Sequence, residues 1–234
     1  MWQRLSQALE RTWRPPASPQ RVHMDDGSAP LAIARAVLAH LSSRDPAAAV
    51  TVVCVGTDRS TGDALGPLVG TQLSRHHFPG VRVLGTLDEP VHAANLHQVL
   101  DSLYTPADVP QAIIAVDACL GRTESVGWIS VKPGPLRPGT GVNKDLPPVG
   151  DLHIMGVVNV GGFMEYFVLQ NTRLSVVMRM AGVIAEGLRI ALEERPLAGA
   201  QAPVNASGWT GSAAPATGGA VQAQASPLRR PRQG

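Results

Sequence analysis

Two aspartates are placed where they could do chemistry together. Asp63 lies in TGDALGP, where a polar loop turns into a helix, and Asp117 closes the apolar run of AIIAVDACL. Two carboxylates in one cleft repel each other, so one of them can stay protonated near neutrality. That places a general acid beside a general base, a combination suited to driving water against an amide. The same pair could instead hold a divalent metal, with His153 or His92 as a nitrogen ligand and water in an open position. Taken singly, Asp63 reads as a helix-capping residue and Asp117 as a strand-end turn residue. A site arises only if the fold brings them together.

Other residues offer less. Cys119 follows Asp117 by two residues and could be a nucleophile beside a histidine, but apolar surroundings raise a thiol's pKa. The loop GTDRSTGD has glycines but neither the spacing nor the lysine of a phosphate cradle, and its aspartates would repel an anion. Within it, Arg59 could offset that charge or simply pair with Asp58. His153 opens an apolar strand, where a histidine is usually structural. His76, His77 and His97 read as surface residues. The run PGTGVNKD (138–145), which contains Asn143, reads as a flap over the strand ends or as a surface turn. Asn159, Glu165, Gln170, Asn171 and Arg173 could orient a peptide or cap helices.

The elements that must position these groups alternate strand and helix. Ser28 can cap a helix that has Pro30 near its start and a stripe of Ala34, Val37, Leu38 and Leu41. TVVCV (51–55), VRVLG (81–85), AIIAV (112–116) and HIMGVVNV (153–160) read as strands, the first and third β-branched and buried on both faces. GWISVK (127–132) alternates and reads as an antiparallel strand at an edge. Helices follow at Leu65–Leu73, around Leu96–Leu103, around 162–170 and over 173–194. This order predicts an α/β fold, a three-layer αβα sandwich on a mainly parallel sheet. Sites in such sheets gather beyond the carboxyl ends of the strands. Asp58, Arg59 and Asp63 follow the first strand, Asp88, Glu89 and His92 the second, and Asp117 the third. The expectation is an acidic rim around the two central aspartates.

Charge supports a folded acidic centre. The chain has 234 residues and a formal net charge of +2, yet residues 24–195 carry −4, while 1–23 and 196–234 carry +3 each. With 4% aromatics, the centre has neither the charge nor the stacking surfaces of a nucleic-acid binder, so no direct nucleic-acid binding is expected. Cys54 and Cys119 sit in apolar runs and read as reduced, buried thiols of a cytoplasmic protein. No apolar stretch is long enough to cross a membrane, and the N-terminus lacks the pattern of a secretory signal. The expected organisation is an amphipathic helix (Trp2, Leu5, Leu9, Trp13) and linker over 1–27, one domain over 28–195, and a disordered low-complexity tail over 196–234. Oligomeric state is left open.

GTDRSTGDALGPLVG, GTLDEPVHAANL, VDACLG, PGTGVNKDLPPVGD and NVGGFMEYFVLQNTRL together resemble the YyaC family of sporulation proteins, from about Val50 to about Glu194. That family is similar to the germination protease of spore-forming bacteria, which degrades small acid-soluble spore proteins, and more remotely to hydrogenase-maturation endopeptidases. The resemblance implies a three-layer αβα fold and an unusual aspartic-type endopeptidase in the cytoplasm of mother cell or forespore. It assigns the two essential carboxylates to Asp63, in DALGP, and Asp117, in VDACL. In the hydrogenase-maturation enzymes a Glu and an Asp at these places bind nickel with a His, for which His153 is the candidate here. The chain is shorter than the germination protease and shows no counterpart of its propeptide. A protein or peptide substrate follows from the resemblance. The rival expectations are a non-catalytic spore-development protein using the same rim for binding, and a small-molecule hydrolase or phosphorylase.

Overall fold

The computed structural model describes residues 20–46, 48–103, 111–138 and 146–195. The N-terminal helix expected over 1–13, the tail 196–234 and Asn143 lie outside the described residues.

The described elements run β1 (Gln20–His23), α1 (Ala29–Ser42), β2 (Ala49–Cys54), a 3-10 turn (Gly62–Ala64), α2 (Leu65–Leu73), β3 (Val81–Leu84), α3 (Leu96–Leu103), β4 (Gln111–Gly121), β5 (Trp128–Pro133), β6 (Leu152–Val160), α4 (Glu165–Gln170) and α5 (Leu174–Glu194). A second 3-10 turn, Thr123–Ser125, joins β4 to β5. The strands form one sheet in the order β1-β5-β6-β4-β2-β3. Its four-strand heart, β6-β4-β2-β3, is parallel, while β5 runs antiparallel to both β6 and β1. The sheet is therefore mixed rather than purely parallel.

Strand alternation divides the core between two faces. Val50, Val52, Cys54, Ile114 and Val116 face the layer of α1, α2 and α5. Val53, Val55, Ile113 and Ala115 face α3, together with Leu136 and Val149, which pair across a single bridge. Helices on both faces make three layers.

Several sequence expectations shift. Residues 20–23, read as linker, form β1, and Arg21 stacks on Trp128 of β5 at 4.6 Å. Strand β5, read as an edge, is thereby covered. Ser28 precedes α1 but makes no side-chain cap. Instead Asp26 Oδ1 accepts the Ser28 amide and hydroxyl, each at 2.8 Å, an Asx turn that competes with capping. Asp117 does not end its strand: β4 continues to Gly121, paired with β6 across a bulge at Cys119/Leu120.

A polar clamp fixes the start of β6. Asp151 accepts from His40 at 2.5 Å, from Arg44 at 3.0 Å and from the Ile113 amide at 3.1 Å. Burial would raise its carboxyl, but these partners outweigh burial and hold it below the ordinary carboxylate range. A carboxyl lowered by folding contributes stability above its unfolded pKa and loses it as pH falls. Asp151→Ala should cost about 2 kcal/mol at pH 7, given the clamp's partial exposure. In urea melts that cost should shrink toward pH 3.

Candidate active site

Strands β2 and β4 are neighbours whose chains leave in opposite directions: β2 leads outward to β3, β4 inward to β5 and β6. A crevice opens at such a switch point, beyond the carboxyl ends of the strands. Here it is a cavity of about 600 Å³ whose wall includes both Asp63 and Asp117. Also in the wall are Gly56 and Thr57 after β2, His92 before α3, Ala118, Cys119 and Leu120 of β4, Arg137, and Glu165, Tyr166 and Leu169 of α4.

Local sequence explains how Asp63 arrives there. After Val55 the chain turns at Gly56, whose φ of 148° favours glycine. An alanine Cβ at that position would strike the Asp63 carbonyl oxygen. The loop closes on itself through a bond from the Thr57 amide to the Asp63 carbonyl, 3.1 Å. Asp63 thus sits in a 3-10 turn leading straight into α2. Asp117 comes from β4, one rung beyond the last pairing with β2 at Cys54↔Val116.

The electrostatics of the two differ. Burial is the main force on both, raising each carboxyl above its usual value. At Asp63 the neighbouring Ser60 hydroxyl pulls the other way. Ser60 Oγ is buried and outside strict hydrogen-bond geometry with any described group, so that pull is weak. Asp117 is pushed up to about 8, because burial and the Asp63 charge together exceed the help of the Ala118 amide, which donates to Oδ1 at 2.8 Å. Of the two, Asp117 is the one that burial and its neighbour's charge favour as the proton carrier near neutral pH.

Of the other sequence candidates, His92, Cys119 and Glu165 join the aspartates in the cavity wall. His92 Nδ1 accepts the Ala94 amide at 3.3 Å. Asp58, Arg59, Asp88 and Glu89 are exposed and outside the cavity wall. The expected acidic rim is not assembled, because the loops carrying these residues turn their side chains to solvent. His153 faces the same side of the sheet as Asp117, yet it pairs with Ala115, a full pleat short of the site. Its Nδ1 lies 2.8 Å from the Gly134 carbonyl, and the ring is outside the cavity wall. Cys119 is in the wall, but burial, with Asp117 beside it, pushes its thiol up to about 11 against the opposing pull of Lys132. It is a protonated thiol at neutral pH, a poor nucleophile. Asn159 ties α4 to β6 through Thr172 at 3.2 Å, a structural role.

A family model described as "Protein of unknown function (DUF1256)" matches residues 21–187. The chain belongs to the DUF1256 family. It is 59% identical over 141 residues to the uncharacterized protein YyaC of Bacillus subtilis (strain 168), an alignment spanning 60% of this chain and 68% of that protein. A crystal structure of the [NiFe] hydrogenase maturation protease HycI from Thermococcus kodakarensis KOD1 shares 18% identity at a TM-score of 0.39, covering 60% of this chain and 92% of that one.

In this DUF1256 chain the donor set does not fit a resident metal. Among the described residues no three His, Cys, Asp or Glu side chains converge as ligands. His153, the nitrogen ligand the resemblance suggested, stands outside the cavity wall that holds the two aspartates. Sequence reasoning missed Arg137, Tyr166 and Leu169 as cavity residues. Arg137 precedes the flap and could have been noticed; nothing in the spacing of α4 announces that it leans over the strand ends.

Proposed function

We propose that this protein is an endopeptidase whose carboxylate pair, Asp63 and Asp117, hydrolyses an amide. The observation that supports this reading is one cavity at the switch point holding two carboxyls, one of them pushed up to about 8 by burial and, to a lesser degree, by the charge of the other. Ionised Asp63 takes a proton from water. The water oxygen bonds to the amide carbonyl carbon, and protonated Asp117 delivers its proton to the leaving nitrogen as the C–N bond breaks. Backbone amides of the 56–62 loop are one source of donors for the oxyanion, although those of Gly56, Thr57 and Arg59 are spent on Val91, Asp63 and Thr57. We assign the same role to Arg137, a cation in the cavity wall without an ion-pair partner among the described residues.

The sequence resemblance further assigns this activity to sporulation, in the cytoplasm of mother cell or forespore, with small acid-soluble spore proteins as candidate substrates. The test is to incubate purified protein with such proteins and with unstructured peptides, with and without chelator. Cleavage should be insensitive to chelator and should vanish in Asp63→Asn. Cutting that survives in both Asp63→Asn and Asp117→Asn would sink the assignment. Activity should also fall above about pH 8, as Asp117 loses its proton; a rate still rising at pH 9 would contradict the assigned roles.

A second reading, a non-catalytic binding protein, is favoured by one feature: the apolar surface of α4. Saturable peptide binding without turnover at any pH would select it.

A further inference from the structure

Large apolar side chains crowd one part of the surface. Among the described residues eight are strongly exposed, and seven of these fall between Val160 and Met178. Phe163 is 83% exposed, Tyr166 66% and Phe167 56%. Soluble chains seldom leave such a cluster uncovered without a use for it. The display is built rather than frayed. Asn159 holds the Thr172 end of α4, Glu165 Oε1 accepts the Gly162 amide at 3.2 Å, and Met164 enters the helix in the left-handed region at φ 51°. Non-glycine residues occupy that region only when their surroundings enforce it. The same short helix supplies Glu165, Tyr166 and Leu169 to the cavity wall, so the apolar surface runs directly into the site.

A second, independent feature meets it there. Strand β4 outruns β2 and, among the described residues, is paired past Val116 only with β6. The last rung on the β2 side is Val55 N–H to the Val116 carbonyl, 2.7 Å. Alternation turns the Ala118 main chain the same way; its amide is taken by Asp117 Oδ1 at 2.8 Å, so its carbonyl is what it offers an incoming chain, and Ala118, Cys119 and Leu120 line the cavity. An open edge accepts an extended main chain, and adjoining apolar surface accepts its alternate side chains.

We propose that the site takes an unfolded, extended polypeptide segment, its main chain beside the free edge of β4 and a large apolar side chain next to the reacting amide seated on Tyr166 and Phe167. This rests on the peptidase reading for the cut, but not for the binding. Preference for a lysine-rich segment, which an acidic rim would have given, has no basis in this geometry, since Asp88 and Glu89 stand outside the cavity.

The experiment uses the full chain carrying Asp117→Asn and labelled, unstructured decapeptides that differ at one central position. Fluorescence anisotropy should show a phenylalanine peptide binding at least tenfold tighter than its glycine and lysine counterparts. Tyr166→Ala with Phe167→Ser should abolish that preference while leaving the melting temperature unchanged, both side chains being exposed. N-methylation of the peptide should weaken binding at alternate positions only. Equal affinity for all three peptides, or a preference that survives the double substitution, overturns the proposal. So does a dimer in sedimentation that Phe167→Ser dissociates while peptide affinity rises. Preferential binding with no cutting by the unsubstituted protein would overturn the peptidase reading and leave the polypeptide surface standing.

Discussion

Replacing Asp117 by asparagine is expected to make the protein both inactive and more stable. Loss of activity follows from its role as the proton donor: an amide side chain fills the space but delivers no proton, and a rate loss of roughly 10³-fold or more is expected for a carboxyl that acts as one half of a unit. The gain in stability follows from burial. Asp117 is pushed up to about 8 in the folded protein by burial, with the Asp63 charge adding to it. The unfolded carboxyl titrates near the ordinary aspartate value of about 3.9. Below that value both states are protonated and the group contributes nothing. Between it and pH 8 the unfolded chain ionises while the folded chain keeps its proton, so folding is increasingly disfavoured as pH rises. Above pH 8 the penalty is constant. At pH 7 it amounts to at most about 4 kcal/mol, and less in practice because Asp117 borders a cavity. Asparagine carries no such penalty, and it can still accept the Ala118 amide through its carbonyl oxygen. Thermal melts should therefore show Asp117→Asn above the unsubstituted protein at pH 8, with the difference closing toward pH 4. A variant equally stable at all pH values would mean that Asp117 is ionised in the folded state and cannot be the acid.

This pairing of lost function with gained stability is a property of a site that stores strain. It also shows how the sequence revealed the pair. The polar residues after β2 and at the end of AIIAV are visible in the pattern, and the rule for switch points brings both to one crevice. The rest of the acidic rim failed because strand-end position fixes where a loop begins, not where its side chains point. Asp58, Asp88 and Glu89 turn outward, whereas His92, two residues after a proline and with its amide bonded to Asn95, turns in. His153 failed for a different reason. Register places it level with Ala115 rather than Asp117, and register is set by pairing between β4 and β6, which one strand's sequence does not contain. Strand β1 escaped notice because four residues after a proline-rich run carry no period. Its strandhood depends on Trp128 and the exposed edge of β5.

The glycines of α2 were legible as letters but not as contacts, and they carry the other large effect expected. Gly66 and Gly70 lie one helical turn apart on one face of α2. A Cβ on Gly66 would run into the Val55 carbonyl oxygen, and one on Gly70 into the Gly85 carbonyl oxygen. The helix therefore rests directly on the ends of β2 and the chain after β3. Backbone oxygens of this kind cannot swing aside. Gly66→Ala should cost about 3 kcal/mol or more, and the helix should lift away from the sheet. Because Asp63 sits in the turn immediately before α2, lifting the helix carries its carboxyl away from Asp117, and activity should fall far more than stability alone explains. Gly156 supplies the control. A Cβ there would meet Met180 Sδ and Leu65 Cδ2, the tips of side chains on the helical face. Those tips can repack, so Gly156→Ala should cost less, about 1 to 2 kcal/mol, and Met180→Ala in the same chain should recover part of it. Urea melts of the three variants, read beside peptide hydrolysis at a temperature where each is fully folded, separate the two cases. If folded Gly66→Ala retains full activity, then the close approach of α2 to β2 is not what holds Asp63 against Asp117, and the position of that aspartate must be set by the 57–63 loop alone.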